Sequence, residues 1–496
     1  MLTNLTRRGE PVQPLWAQAA AEWDGRAAVR RADSGSMSDT TQDRRSTGHR
    51  TGRPVVRIGG GQGYYGDGHG GVGPLLDAGV DYLVCEALAE LTLAILQKDR
   101  QRDESLGYTR DLPLYVQAAL PKIIEGTTRF ITNAGGINPI AAGRAVIDGL
   151  RAAGVSGLTV ATVVGDDLRP HADELGLADD TLFASVYLGA RPIADALEAG
   201  ADIVITGRVA DASLFLAPLV HEFGWSEDDW DRLAAGVTIG HLLECSAQVC
   251  GGNYSGEWWT KGDFSHIGFP IAECSADGTA VITKPDGTDG AVTFDTVREQ
   301  LLYEVHDPRA YLNPDVTADF TSVHLDDQGD DRVRVHGVKG TPRPETYKGL
   351  VCTPAGYSGE ARTSYSWPDA EAKARAAARF MVARAEQLGV PVLEWHEEYF
   401  GVNAFGGPTV PLGDPSTGDA VDPPEVQGRL VWRCEQRADA ARLAREVGQL
   451  GLGGPPMVTT FGRIRDTGPT QLLSLEAIGV ERGLVDPGVR VSLETV

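Results

Sequence analysis

The run Arg129-Phe130-Ile131-Thr132-Asn133-Ala134-Gly135-Gly136-Ile137-Asn138-Pro139 decides how the chain is read. A short apolar run stops on an amide and a glycine turn follows. Asn138 then suits a helix N-cap, with Pro139 in the first helical position. Strand, turn and helix in so few residues form the repeating unit of a parallel α/β sheet.

The same alternation holds on both sides of that run. Strands are expected over 55–58, 82–85, 129–132, 158–164 and 202–206, with helices over 88–97, 139–153 and 192–199. The fold class is therefore α/β: a mainly parallel sheet with flanking helices, a β-rich second lobe and a small C-terminal α/β lobe. Boundaries are placed at 1–53 for a disordered tail and 54–254 for the α/β domain. A β-rich lobe over 255–400 closes with a helix over 367–388, and 401–496 holds a linker and the terminal lobe. The tail has almost nothing apolar to bury. Met37 within it offers an alternative start, which would place residues 1–36 outside the native protein.

Composition narrows the function. The formal charge of −24 over 496 residues would repel a phosphate backbone, so nucleic acid is not an expected partner. No apolar stretch approaches the roughly 18 residues of a membrane helix. The six scattered cysteines form no CxxC pair, and no secretory signal opens the chain, so a reducing cytoplasm is expected.

Each strand end carries polar or glycine signals. In open α/β sheets these ends build the ligand crevice, because turning backbone and helix N-termini present free N–H groups there. After the first strand, Gly61-Gln62-Gly63-Tyr64-Tyr65-Gly66 matches the dinucleotide pattern, and Glu86 lies at the spacing of its acidic residue. However, Asp67 to Gly71 prolong the loop where the helix should begin. A substrate loop using Gly61, Gly63 and Asp67 is preferred, with an NAD(P)-dependent oxidoreductase as the alternative.

After the third strand, Asn133 can orient a carbonyl or enolate, beside Gly135 and Gly136. Asp166 and Asp167 end the fourth strand as neighbouring carboxylates, which pushes one pKa up and suits it to proton transfer. Arg208 ends the fifth as an anion anchor, or as an internal partner of Asp211. The stretch 240–248 reads as one helix with His241, Glu244, Cys245 and Gln248 on a single face. There His241 and Glu244 can act as an acid/base pair, and Cys245 as a nucleophile, a soft metal ligand or a small apolar filler.

Several segments together resemble the acyclic terpene utilisation (AtuA-like) family. They are Asp81-Tyr82-Leu83, Leu88-Ala89-Glu90, Thr132 to Gly136, Val164 to Asp167, Tyr187-Leu188-Gly189, Gly200 to Arg208, His221 to Trp225 and Gly240 to Cys245. The likeness covers roughly residues 54–495. It implies a place in the bacterial breakdown of citronellol- or geraniol-type acids, handled as CoA thioesters, and a carbon–carbon lyase has been proposed for the family. The family pattern often has Asp where this chain has Glu86, and a basic residue where it has Gly68. Some members carry an extra ferredoxin-like domain after this body, which a partner subunit is expected to supply here.

The expected function is a lyase or hydratase acting on an acyl-CoA thioester. His241, Glu244, Asp166 and Asn133 are the catalytic candidates, while Gly61, Gly63, Asp67, Glu86, Gly135, Gly136, Asp167, Arg208 and Asp211 bind substrate. No cofactor and no metal are expected, and a homo-oligomer is a further option. The alternatives are the oxidoreductase and a non-catalytic subunit of a pathway complex.

Overall fold

A computed structural model of the chain describes residues 54–405, 422–460 and 468–496. The expected tail over 1–53 lies outside the described residues, as does much of the expected linker after 401. Two compact units emerge: one from the chain up to Leu177 with Phe183–Val351 and Glu476–Val496, the other from Ala178–Leu182 with Cys352–Leu475.

The first unit is built on strands β1 (Val56–Gln62), β2 (Tyr82–Cys85), β3 (Arg129–Thr132), β4 (Thr159–Val164), β5 (Phe183–Val186) and β6 (Ile203–Thr206). Its helices are α1 (Val72–Asp77), α2 (Glu90–Arg102), α3 (Leu112–Ile124), α4 (Pro139–Ala152), α5 (Arg191–Glu198), α6 (Asp211–Phe223) and α7 (Trp230–Leu243). The side-chain period of two divides each strand between two cores. Leu83 and Cys85 of β2 face α1, α3 and α4, whereas Tyr82 and Val84 face α5, α6 and α7.

Handedness explains the division. The parallel strands lie in the order β1-β2-β3-β6-β4. The chain steps one way from β1 through β4, so right-handed crossovers put α1, α3 and α4 on one face. It then steps back to insert β6 between β3 and β4, which sends α5 and α6 to the other. The connections leaving β3 and β6 thus diverge to opposite faces, and the crevice between their C-terminal ends is a topological switch point. Gly135 makes the close crossing there, since a Cβ on it would lie 2.4 Å from the Thr206 carbonyl oxygen.

Five strands after residue 270 extend this sheet, while Lys339–Thr341, Thr317–Asp319 and Tyr311–Leu312 form a separate antiparallel sheet of three. β7 (Ile271–Cys274) pairs antiparallel with β1, then come β8 (Ala280–Thr283), β10 (Val333–His336) and, outermost, β9 (His324–Asp327). The C-terminal strand Arg490–Thr495 pairs with β4 at the other edge. The physical reason is edge pairing: a five-stranded parallel core leaves two rows of unpaired backbone groups, and these segments cover both.

In the second unit a sheet has the order Val392–Phe400, Glu425–Cys434, Thr346–Ser366, Val458–Thr460, all neighbours antiparallel. Helix Ala370–Leu388 follows its first strand in sequence and helix Arg437–Ala444 its third. This β-α-β-β-α-β path with the first and third strands central is the ferredoxin-like arrangement. The second unit of the chain is thus itself ferredoxin-like in topology. Its core packs a face of alanines (Ala370, Ala374, Ala377, Ala378) against the fully buried Trp432. Among the described residues no helix is long and apolar enough to cross a membrane.

Two glycine substitutions test the close crossing. Gly135→Ala is expected to lower stability by about 1–3 kcal/mol through overpacking. Gly73→Ala, in α1 with open space around its Cβ position, is expected to raise it by up to about 1 kcal/mol. Urea unfolding of both variants checks the contrast.

Candidate functional site

The switch point is organised by Arg208, which leaves the end of β6 and is 1% exposed. Its Nε donates to the Val209 carbonyl (3.0 Å), one terminal nitrogen donates to the Leu88 carbonyl and the other to Asp211 at the start of α6. The guanidinium also stacks over the Tyr187 ring, 4.1 Å from its centroid. Burial works against the charge, but Asp211, Tyr187, Glu86 and Glu90 hold the guanidinium above its ordinary pKa. The internal pair with Asp211 forms, and of the five N–H groups on a guanidinium three are hydrogen-bonded within the chain and two are not.

Across the crevice Glu86 and Asn133 are locked together. Asn133 Nδ2 donates to Glu86 Oε1 (3.0 Å), Asn133 Oδ1 accepts from Ala87 N (2.7 Å), and Leu88 N donates to the same Glu86 oxygen (2.5 Å). The amide therefore ties the end of β3 to the end of β2. Burial pushes the Glu86 carboxyl up to about 7, with Glu244 adding to the rise and Arg208 and the two N–H groups opposing it. A neighbouring carboxylate behaves oppositely. Half-burial would raise Glu90, but hydrogen bonds from Tyr187 Oη (2.7 Å) and Lys348 Nζ (3.0 Å) hold it at about 2. Sequence reasoning missed Glu90, Tyr187 and Lys348. The first two lie inside segments that carry the family resemblance, whereas Lys348 has no local signal.

Asp166 and Asp167 separate cleanly. Asp166 is buried with its Oδ2 accepting from Arg208 N (2.8 Å). Burial lifts it to about 7, the Arg208 N–H opposing and Asp167 contributing. Gly207 makes room, since a Cβ there would sit 2.5 Å from the same oxygen. Asp167 is turned outward and bonds Arg169 through its backbone N–H (3.0 Å) and its guanidinium.

The helix expected over 240–248 is corrected. α7 ends at Leu243, Ser246 takes φ 45°, and a 3-10 turn Ser246–Cys250 follows. The break arises because β1 approaches so closely: Cβ atoms on Gly60 and Gly63 would meet the Leu243 carbonyl (2.6 Å) and the Cys245 backbone (2.8 Å). His241 and Glu244 still meet, Nδ1 to Oε1 at 2.9 Å, with the imidazole beside the stacked rings of Tyr311 and Phe320. The His241 Nε2 and Glu244 Oε2 atoms are buried with no hydrogen-bond partner among the described residues. Cys245 does not continue that face, and burial pushes its thiol well above the ordinary range, so a thiolate nucleophile is disfavoured there. Gln248 bonds Gln300 instead.

In the glycine loop, carboxylates of the chain itself occupy the backbone N–H groups. Asp67 Oδ2 accepts from Gly63 N (3.0 Å) and Ser246 Oγ (2.8 Å), and Asp111 Oδ2 accepts from Gly66 N (3.2 Å) and Gln62 Nε2 (3.1 Å). A pyrophosphate would meet two acids where it needs donors. Gly61 packs on Leu83 and Cys85, and Gly136 takes φ 57° above Leu96 and the Gly107 carbonyl. Among the described residues no three His, Cys, Asp or Glu side chains form a group able to hold a metal ion.

A family model described as Acyclic terpene utilisation family protein AtuA matches residues 56–491, and the chain belongs to that family. No curated protein and no solved structure matches it.

The raised Glu86 carboxyl fixes the sign of a stability test. Its folded pKa lies above the unfolded value, so its contribution is fully present below about pH 4.5 and is lost as pH rises towards 7. Glu86→Gln mimics the protonated acid. Relative to the variant, the wild type is expected to lose on the order of 2–3 kcal/mol between pH 4.5 and 7. Parallel denaturation curves of the two proteins over that range are the measurement.

Proposed function

We propose that this member of the acyclic terpene utilisation family is an acyl-CoA lyase or hydratase that works by proton transfer in the β3/β6 crevice. The family implies a role in acyclic terpene utilisation. One observation carries the finer reading: a buried carboxyl with a pKa near 7, Glu86, is held by Asn133 beside a buried guanidinium. A group poised near neutrality both takes and returns a proton efficiently, and a fixed positive charge favours an enolate developing on a thioester carbonyl.

For a 3-hydroxyacyl thioester the lyase step is balanced as follows. A base removes the hydroxyl proton, the oxygen electrons form a carbonyl, the C2–C3 bond breaks, and the thioester enolate takes a proton at C2. A hydratase step adds water across a C2–C3 double bond through the same enolate. Glu86 is assigned the proton transfers, the two uncommitted N–H groups of Arg208 the developing oxyanion, and Asn133 the positioning of Glu86. Glu244, bonded to His241, acts electrostatically on Glu86, and Asp166 interacts with Arg208.

Turnover of branched 3-hydroxyacyl- and enoyl-CoA thioesters by the purified protein tests the reading. Loss of a positioned acid/base costs about 10²–10⁴-fold, so Glu86→Gln is expected to lose at least about 100-fold and the pH limb near 7. Arg208→Lys is expected to retain less than wild-type turnover because the bidentate fork is gone. Undiminished turnover in both variants overturns the assignment.

A further inference from the structure

A polar cavity lies in the first unit, its lining distinct from the carboxylates around Arg208. Its volume is about 730 Å³, and α2, the turn before α4, the first turns of α4 and the loop after β4 all line it. That size falls within the roughly 300–1,000 Å³ of ligand pockets. Three guanidiniums, Arg100, Arg144 and Arg169, face it together with Gln97 and Asn138.

The charges there are unusual for a chain of net charge −24. Arg169 is neutralised by Asp167, and the Asp148 that also lines the cavity lies 3.8 Å from Arg151. Arg144 has neither an ion pair nor a hydrogen bond among the described residues. Arg100 makes one hydrogen bond, to the Ile137 carbonyl (2.8 Å), and no ion pair. Glu104 is the one further acid on the lining. Gln97 is 7% exposed, yet its Oε1 is buried with no hydrogen-bond partner among the described residues. The N-terminal end of α4, a helix of 14 residues, adds its positive dipole end, with Ala141 N already bonded to Asn138 Oδ1.

We propose that this cavity binds the phosphorylated end of the CoA thioester, with Arg100 and Arg144 on phosphate oxygens. Planar guanidiniums suit phosphate because two parallel N–H groups match two oxygens. The inference rests on the acyl-CoA reading for the identity of the ligand, and on the cavity for the phosphate chemistry. The loops involved are continuous with the catalytic crevice: Asn133 and Asn138 share the turn after β3, and Asp166 and Arg169 share the loop after β4.

Calorimetric titration of the full chain with CoA, ADP, pyrophosphate and orthophosphate tests it. CoA and ADP are expected to bind, and Arg144→Glu and Arg100→Gln are each expected to weaken both by roughly tenfold or more, the value of one charge-assisted bond. Arg298→Glu, an exposed charge change outside the cavity lining, should leave both affinities unchanged. Arg144 is itself exposed, so unaltered melting of Arg144→Glu will confirm that its fold is intact. Absence of CoA binding, equal affinity in wild type and Arg144→Glu, or equal weakening by Arg298→Glu overturns the proposal. So does a site that takes orthophosphate as tightly as CoA, which would make it a free-phosphate site. If CoA binding depends on Arg144 while no thioester is turned over, the lyase or hydratase reading fails and the phosphate site stands.

Discussion

A guanidinium buried at the end of a central strand is the constraint on which the rest of the site depends. An unpaired charge removed from water costs several kcal/mol, so Arg208 can exist at 1% exposure only if the surrounding chain neutralises it. The partners come from separate segments: the Leu88 carbonyl after β2, Asp211 in the first turn of α6, and the Tyr187 ring after β5. Tyr187 is fixed in turn by Glu90, and Glu90 by Lys348. One buried charge thereby pins several strand ends, and the crevice inherits its rigidity from that requirement.

Topology decides where this can happen. Inserting β6 between β3 and β4 reverses the direction of travel across the sheet, and right-handed crossovers then separate the helices leaving β3 and β6. The resulting gap is bridged by polar groups: Asn133 spans from β3 to β2 through both ends of its amide, and Asp166 spans from β4 to β6 through the Arg208 N–H. Gly135 and Gly207 are the places where these crossings leave no room for a Cβ. Glycines that read as a binding signature are thus, in part, consequences of strand ends brought together.

The strands of the parallel core were legible because each is a short apolar run with a glycine or a polar residue at its end. β2 and β3 fall on the expected residues, and the cap at Asn138 accepts from Ala141 N as its position required. What local reading could not supply was pairing across long separations. Nothing in Ile271–Cys274 or Arg490–Thr495 announces that it will cover an edge of the first sheet, and the ferredoxin-like unit emerges only when Val392–Phe400 is paired with Glu425–Cys434. The site was legible to the same degree. Strand-end residues were found by position, but Lys348 reaches Glu90 from a distant strand, and the helix face through His241 was extended too far. Its end is set by the approach of β1, which no periodicity records.

The electrostatic consequence is a division of labour between the Arg208 cluster and the polar cavity of the first unit. Around Arg208 the acids Glu86, Glu90 and Asp211 crowd together, and burial raises Glu86 and Asp211. Glu90 takes the anionic role at about 2, while Glu86, like Asp166 nearby, is left near 7. Two environments push like side chains towards opposite protonation states, the condition under which one can give or take a proton while another stays charged. Such a crowd of acids repels phosphate, and the glycine loop repels it further by filling its own N–H groups with Asp67 and Asp111. An uncharged thioester carbonyl is not repelled. Uncommitted arginine charge lies instead along α2 and α4. A ligand with a polyanionic end and a neutral reactive end matches that separation of charge.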